Sequence, residues 1–176
     1  MEELSLHILD IVENSMAARA DRIEISVTVN QKQDRLLVEV VDNGTGMDEE
    51  TVKRALDPFY TSKTVRRFGF GLPLLSEAAR AADGNLSVES KPGTGTKIRA
   101  DFQYSHIDRQ PLGDIGQTII TLIFGNPEVD LLYVFKKNGQ EWRFDTQVIK
   151  DRLSRTAINS PAGIRMIREE LKKMPK

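Results

Sequence analysis

DNGTG, residues 42–46, ends the alternating run RLLVEVV at 35–41 with an acid and two glycines. Alternation with a period of two reads as a half-buried strand, so Asp42 stands at a strand end, where a carboxylate can be held in a partly buried mouth. Upstream, Asp10 and Asn14 are four residues apart in HILDIVENSMAARA and project from one face of a helix. Downstream come GFGL at 69–72 and GTGT at 93–96. Neither GxxxxGK[ST] nor a GxGxxG opening a helix after a strand occurs, which sets aside P-loop and Rossmann sites. The order of these pieces predicts a nucleotide pocket on another scaffold.

The segments around them predict the fold. Residues 2–20 place Leu6, Leu9, Val12 and Met16 at helical spacing. RIEISVTV at 22–29 and RLLVEVV at 35–41, joined by NQKQD, read as an antiparallel hairpin. Asp48 with Glu50 and Thr51 marks a helix start, and Asp57-Pro58 closes that helix because a residue before proline avoids the helical region. Residues 72–82 are rich in strong helix formers, Asp83-Gly84-Asn85 supplies the stop, and strands follow at 85–90 and 96–103. This succession predicts an α+β fold, a two-layer α/β sandwich with helices on one face of an antiparallel or mixed sheet.

One domain is expected over residues 1–103, and residues 104–176 are expected to form a small C-terminal α+β appendage. In the appendage, IGQTIITLIF at 115–124 reads as a helix or a strand. Residues 130–145 read as a strand pair around Asn138-Gly139, and two helices end the chain, the last with Ser160 as N-cap and Pro161 at its first position.

Composition removes several classes. The 25 basic and 26 acidic residues give a net charge of −1, so no global field holds a nucleic acid or a membrane surface. There are no cysteines, hence no disulfides, no thiolate nucleophile and no Cys-ligated metal, in keeping with a cytoplasmic setting. No run approaches about 18 consecutive apolar residues, the length of a membrane span.

The chemistry sits in the polar residues of the motifs. Asp42 can accept a hydrogen bond from the exocyclic amine of adenine, where guanine presents a carbonyl. An acceptor facing an acceptor costs about 1 to 3 kcal/mol, which favours ATP over GTP. Gly44 and Gly46 let the backbone pass close to the base. Asn14 offers an amide oxygen to Mg2+, an ion that keeps waters and relies on substrate phosphates for the rest of its shell, and Asp10 can orient or deprotonate an attacking water or hydroxyl. FYTSKTVRRFGFG at 59–71 combines Thr61, Ser62, Lys63, Arg66 and Arg67 with Gly69 and Gly71, as suits a lid over a triphosphate. The amides opening the helix at Gly71 and Leu72 can cradle phosphate oxygens, and the cations can neutralise charge on a transferred phosphoryl group. Thr96 can close the adenine pocket. Taken singly, each motif reads as an ordinary turn or a solvated helix face. Their order is what binds them together.

Together the motifs resemble the GHKL superfamily of ATPases and kinases, which includes histidine kinases, MutL, Hsp90 and gyrase B. The resemblance covers residues 1 to about 103. DIVENSMAARADRIEISV looks like the N box in its MutL-type wording, DNGTGM like the G1 box, PFYTSK like the pre-lid segment of histidine kinases, GFGL like the G2 box and KPGTGTKI like the last glycine box. The resemblance implies that Asn14 binds Mg2+, Asp42 recognises adenine, Lys63 approaches the terminal phosphate, and Gly69 and Gly71 hinge the lid. Two departures stand out. Arg67 occupies a position where histidine kinases have glycine, and Asp10 stands where hydrolytic members have glutamate, about 1.5 Å shorter in reach.

Only six residues precede His7, so the expectation is a stand-alone ATP-binding protein without the phosphoacceptor hairpin of sensor kinases, with His7 and His106 structural. Three functions follow from the resemblance: a Mg-dependent signalling kinase acting on a separate phosphoacceptor protein, a weak MutL- or chaperone-like ATPase whose lid drives formation of a homodimer, or a non-catalytic ATP sensor.

Overall fold

Ile23, Ile25, Val27 and Val29 are buried while the alternate residues Arg22 and Glu24 are exposed, so the first strand, β1 (Arg22–Asn30), presents one dry face. Its hairpin partner β2 (Arg35–Asp42) does the same with Leu36, Val38 and Val40 in an antiparallel register that sets Val27 opposite Val38. β3 (Asn85–Lys91) and β4 (Gly95–Gln103) form a second antiparallel pair, and β4 joins β2. A computed structural model describes residues 3–59 and 71–175, and in it six strands form a single sheet in the order β3-β4-β2-β1-β5-β6. β5 (Asp130–Lys137) runs parallel to β1, from Arg22 opposite Asp130 to Val29 opposite Lys137. β6 (Gln140–Asp145) returns antiparallel across an Asn138-Gly139 turn in which both residues have positive φ.

Helices cover the dry face. α1 (Leu4–Ala17) inserts Leu4, Ile8, Ile11 and Val12, and α3 (Gly71–Ala81) adds Leu72 and Leu75. α4 (Ile115–Gly125) buries Ile115, Ile119, Leu122 and Ile123 at i, i+4, i+7 and i+8, which settles that segment as a helix. α5 (Thr146–Leu153) and α6 (Pro161–Leu171) complete the layer, and Ile149 and Ile167 join the same core cluster as Ile25 and Phe102. Each such buried aliphatic side chain contributes about 1.5 to 3 kcal/mol. Over β2 and β4 the opposite face is polar, with Lys97 paired to Glu39 and Arg35 to Asp101, both at 3.4 Å, whereas β5 buries Leu132 and Val134 on that side. The result is the expected two-layer α+β sandwich. The short α2 (Glu49–Leu56) starts as its sequence indicates, with the Asp48 carboxylate accepting from Thr51 N at 2.7 Å.

The connection from β4 to α4 runs back over the start of α1. Glu3 makes no side-chain cap there. Instead, Leu4 N and Ser5 N donate to the carbonyls of Pro111 and Leu112, each at 2.9 Å, which satisfies two of the donors a helix N-terminus leaves open. His7 adds a bond from its ring Nε2 to the Gln110 side chain at 3.0 Å. This strap therefore fixes α1, the helix that brings Asp10, Asn14 and Ser15 to the sheet.

Candidate nucleotide-binding site

Asp42 ends β2 with 8 % of its surface exposed, and both carboxylate oxygens are held: Oδ1 accepts from Gly44 N at 2.9 Å and Oδ2 from the Ser15 hydroxyl at 2.6 Å. The second distance is that of a charge-assisted O–H···O bond. Next to it, Asn43 fastens the turn to the start of β1. Its amide donates to the Asp21 carboxylate at 2.7 Å and its carbonyl oxygen accepts from Asp21 N and Arg22 N, both at 3.1 Å. Thr45 N reaches the carbonyl of Ala18, the residue capping α1, at 2.9 Å. The DNGTG turn is thereby tied to the end of the helix that carries Asn14.

The two glycine turns pack backbone to backbone. A Cβ on Gly46, at φ +69°, would lie 2.0 Å from Lys91 O, and one on Gly95, at φ +118°, would lie 2.0 Å from Asp42 O. Ser90 stitches them, its hydroxyl accepting from Met47 N at 2.8 Å and lying 2.8 Å from the Thr96 hydroxyl. Thr96 is thus placed directly across from Asp42 in the β2–β4 register.

These contacts frame a narrow slot of about 30 Å³ among Ile11, Asn14, Ser15, Ala18, Asp42, Gly46, Met47, Leu72, Thr96 and Ile98. A wider cleft of about 310 Å³, lined also by Thr45, Asp48, Thr51 and Pro92, shares Asn14, Ala18, Gly46 and Met47 with it. Of the residues expected from sequence, Asn14, Asp42, Gly46, Leu72 and Thr96 therefore surround one slot. Gly44 lies behind it, where a Cβ would meet Ala18 O at 2.8 Å. Asp10 does not line the slot. It packs one helical turn away against Gly71, whose Cβ would sit 3.2 Å from that of Asp10, at the start of α3. Thr61, Ser62, Lys63, Arg66, Arg67 and Gly69 lie outside the described residues.

The Asn14 amide makes no hydrogen bond to any described residue, which leaves it open to a ligand. Among the described residues no three His, Asp or Glu side chains gather as a metal centre. His7 is buried, at 1 % exposure, and burial holds its imidazole below the ordinary value of 6.5 despite the Gln110 bond, so it is a neutral packing residue. His106 lies 3.5 Å from Asp83, far along the sheet from Asp42.

Sequence reasoning missed Ser15, Met47, Ser90 and Ile98. A hydroxyl on the apolar stripe of α1, one turn after Ile11, was the available signal for Ser15. Met47 and Ile98 carry none, because an apolar side chain lining a pocket looks like any other core residue.

Comparison with known proteins agrees with this geometry. The family described as "Histidine kinase-, DNA gyrase B-, and HSP90-like ATPase" matches residues 2–106. The sensor histidine kinase YxdK of Bacillus subtilis is 35% identical over 106 residues, covering 56% of this chain and 32% of its own. The sensor protein kinase FleS of Pseudomonas aeruginosa is 39% identical over 89 residues, covering 51% and 22% respectively. The chain thus spans a third or less of the length of these curated relatives.

Two solved structures share the fold over more of the chain than the family match does. The N-terminal domain of a DNA repair protein superposes with a TM-score of 0.63 at 17% identity, covering 97% of this chain and 57% of that one. The Aquifex aeolicus MutL ATPase domain complexed with ADP does so with a TM-score of 0.51 at 18% identity, covering 87% and 68%. With more than half its length matched and the turns of that match closing on one slot, the chain belongs to the histidine kinase-, DNA gyrase B- and HSP90-like ATPase family.

Proposed function

We propose that this protein binds ATP with Mg2+ in the slot and cleft between α1 and the two glycine turns, and that it acts as a signalling or regulatory kinase on a separate protein. The observation that carries the reading is that the Asp42 carboxylate and the Asn14 amide, which bonds no described residue, line the same cavity. Asp42 is preorganised by Ser15 and Gly44, so its remaining lone pairs are aimed before a base arrives. Adenine, with a donor at its exocyclic position, suits that acceptor. A slot of about 30 Å³ holds about one water, so a purine has to widen it. Met47, an unbranched thioether at the junction of slot and cleft, can yield at low cost.

Asn14 also borders the wider cleft, where it would hold Mg2+ through its amide oxygen. That fits a neutral ligand with no acidic cluster among the described residues, since Mg2+ takes most of its shell from phosphate and water. When bound, the ion supplies neutralisation of the phosphate charge. Asp10, beside the first residue of α3, would orient the attacking group, while Lys63, Thr61, Ser62, Arg66, Gly69 and the amides of Gly71 and Leu72 would surround the phosphates.

The relatives at 35% and 39% identity are sensor kinases, which supports the kinase version. A second reading is a weak ATPase working by closure and homodimer formation; the MutL ATPase domain complexed with ADP, which shares the fold over 87% of this chain, supports its ATPase part. Incubation with labelled ATP separates them. Label appearing on another protein supports the kinase. Steady phosphate release that Asp10→Ala abolishes supports the ATPase, and absence of any ATP binding overturns both.

A further inference from the structure

A second cavity, of about 540 Å³, lies between β5, the start of α4 and the turn that follows α6. Tyr133 and Phe135 form an aromatic floor, and Leu112, Ile115, Leu171 and Met174 make apolar walls. Tyr133 is 5 % exposed, yet its hydroxyl makes no hydrogen bond to any described residue. Burial pushes the phenol far above its ordinary ionisation range, so the group is a neutral O–H at any working pH. The hydroxyl is not sealed away from the cavity, so an acceptor placed there can take its hydrogen.

The charge of the lining narrows the choice of occupant. Asp114 and Lys172 both border the cavity, and their opposite signs leave no net attraction for an ion. Asp114 is already engaged as the N-cap of α4, accepting from Gln117 N at 2.9 Å. An ionised ligand would lose its hydration to apolar walls without a buried counter-charge. The volume falls in the range of small-molecule sites, about 300 to 1,000 Å³.

The lining is also joined to the nucleotide slot. Leu112 forms part of the wall, and its carbonyl accepts from Ser5 N at the start of α1, next to the bond from Leu4 N to Pro111. The other end of α1 supplies Asn14 and Ser15 to the slot.

We propose that this cavity binds a neutral, largely apolar small molecule whose one acceptor takes the Tyr133 hydroxyl, and that occupancy is transmitted to the nucleotide slot through the 111–113 strap and α1. The second half rests on the nucleotide reading, whereas the first does not. Benzophenone, neutral and biaryl with a single carbonyl, is a suitable probe. Titrated into the full chain without nucleotide, it is expected to bind saturably at one site and, on irradiation, to crosslink to residues 171–175. Tyr133→Phe keeps the shape and is expected to weaken binding about three- to tenfold, and Ile115→Trp, which fills the cavity, is expected to abolish it.

Should the Trp variant fail to fold, Tyr133→Phe still decides: affinity equal to that of the unaltered chain overturns the site. So do non-saturable binding, crosslinks elsewhere, or self-association of the chain that Ile115→Trp dissolves, since the occupant is then a second copy. Saturating benzophenone is expected to shift ATP affinity about fivefold or more. An unchanged ATP affinity overturns the coupling, and failure of ATP to bind at all overturns the nucleotide reading while leaving the cavity test intact.

Discussion

Replacing Gly46 with alanine tests whether the two glycine turns really build the slot by close backbone approach. At φ +69°, alanine incurs left-handed strain of about 1 to 2 kcal/mol. Its Cβ would also fall 2.0 Å from Lys91 O and 2.7 Å from Lys91 C, which are backbone atoms that cannot rotate away. Relief requires moving residues 91–95 off the Asp42 turn, an overpacking cost of about 1 to 3 kcal/mol. The total is about 2 to 5 kcal/mol. Gly93 is the internal control, because it too has positive φ, +78°, but nothing within 4 Å of a Cβ, so Gly93→Ala incurs the strain alone. Urea denaturation of both variants, compared through midpoints at unchanged slope, measures the difference. Gly46→Ala is expected to be less stable than Gly93→Ala by about 1 to 3 kcal/mol and to lose ATP affinity as the turns part. Equal midpoints for the two would refute the close-approach argument.

Other perturbations read different parts of the site. Ser15→Ala leaves Asp42 Oδ2 without its 2.6 Å donor and is expected to cost about 1 to 3 kcal/mol in urea stability; an unchanged midpoint contradicts the assigned bond. Arg19, at φ +63° just past α1, is strained, so Arg19→Gly is expected to raise stability by about 0.5 to 1 kcal/mol, and a loss on denaturation contradicts this.

His7 gives a pH signature. Its folded value lies below the ordinary 6.5 because burial disfavours the imidazolium, so the unfolded chain binds the extra proton first and stability is full above 6.5 and falls as pH drops below it. The carboxyls of Asp34 and Asp48, held low mainly by the Gln103 and Thr51 hydrogen bonds, lose their contribution only in more acid solution. Stability measured between about pH 6.5 and 5 should therefore fall for the unaltered chain and stay level for His7→Leu. Parallel curves for the two contradict the assignment.

Much of this architecture can be read from residues because its determinants are local. The alternation in RIEISVTV and RLLVEVV is set by burial on one face, and the Asn138-Gly139 turn by the positive φ that both residues adopt. What is not local stays hidden. β5 lies beside β1 although more than a hundred residues separate them, and nothing in DLLYVFKK names its neighbour, so the C-terminal residues look like an appendage while their strands extend the same sheet.

The site shows the same division. Asn14, Asp42 and Gly46 are polar or conformationally special and stand out, and Thr96 is marked by the glycines before it. Met47 and Ile98, which complete the slot, are indistinguishable from core residues in the sequence. Asp10 illustrates a limit of spacing arguments, since sharing a helix face with Asn14 places it against Gly71 and not in the slot.

Asp42 is assigned the choice of base, in a slot it shares with Asn14. Calorimetric titration of the unaltered chain and Asp42→Asn with ATP and GTP in the presence of Mg2+ tests it most directly. Asparagine keeps the shape, accepting from Gly44 N and pairing with Ser15, so folding is spared. The unaltered chain should prefer ATP by about 5- to 150-fold, and Asp42→Asn should lose most of that preference. ATP binding of unaltered strength and unaltered preference in Asp42→Asn would contradict the account.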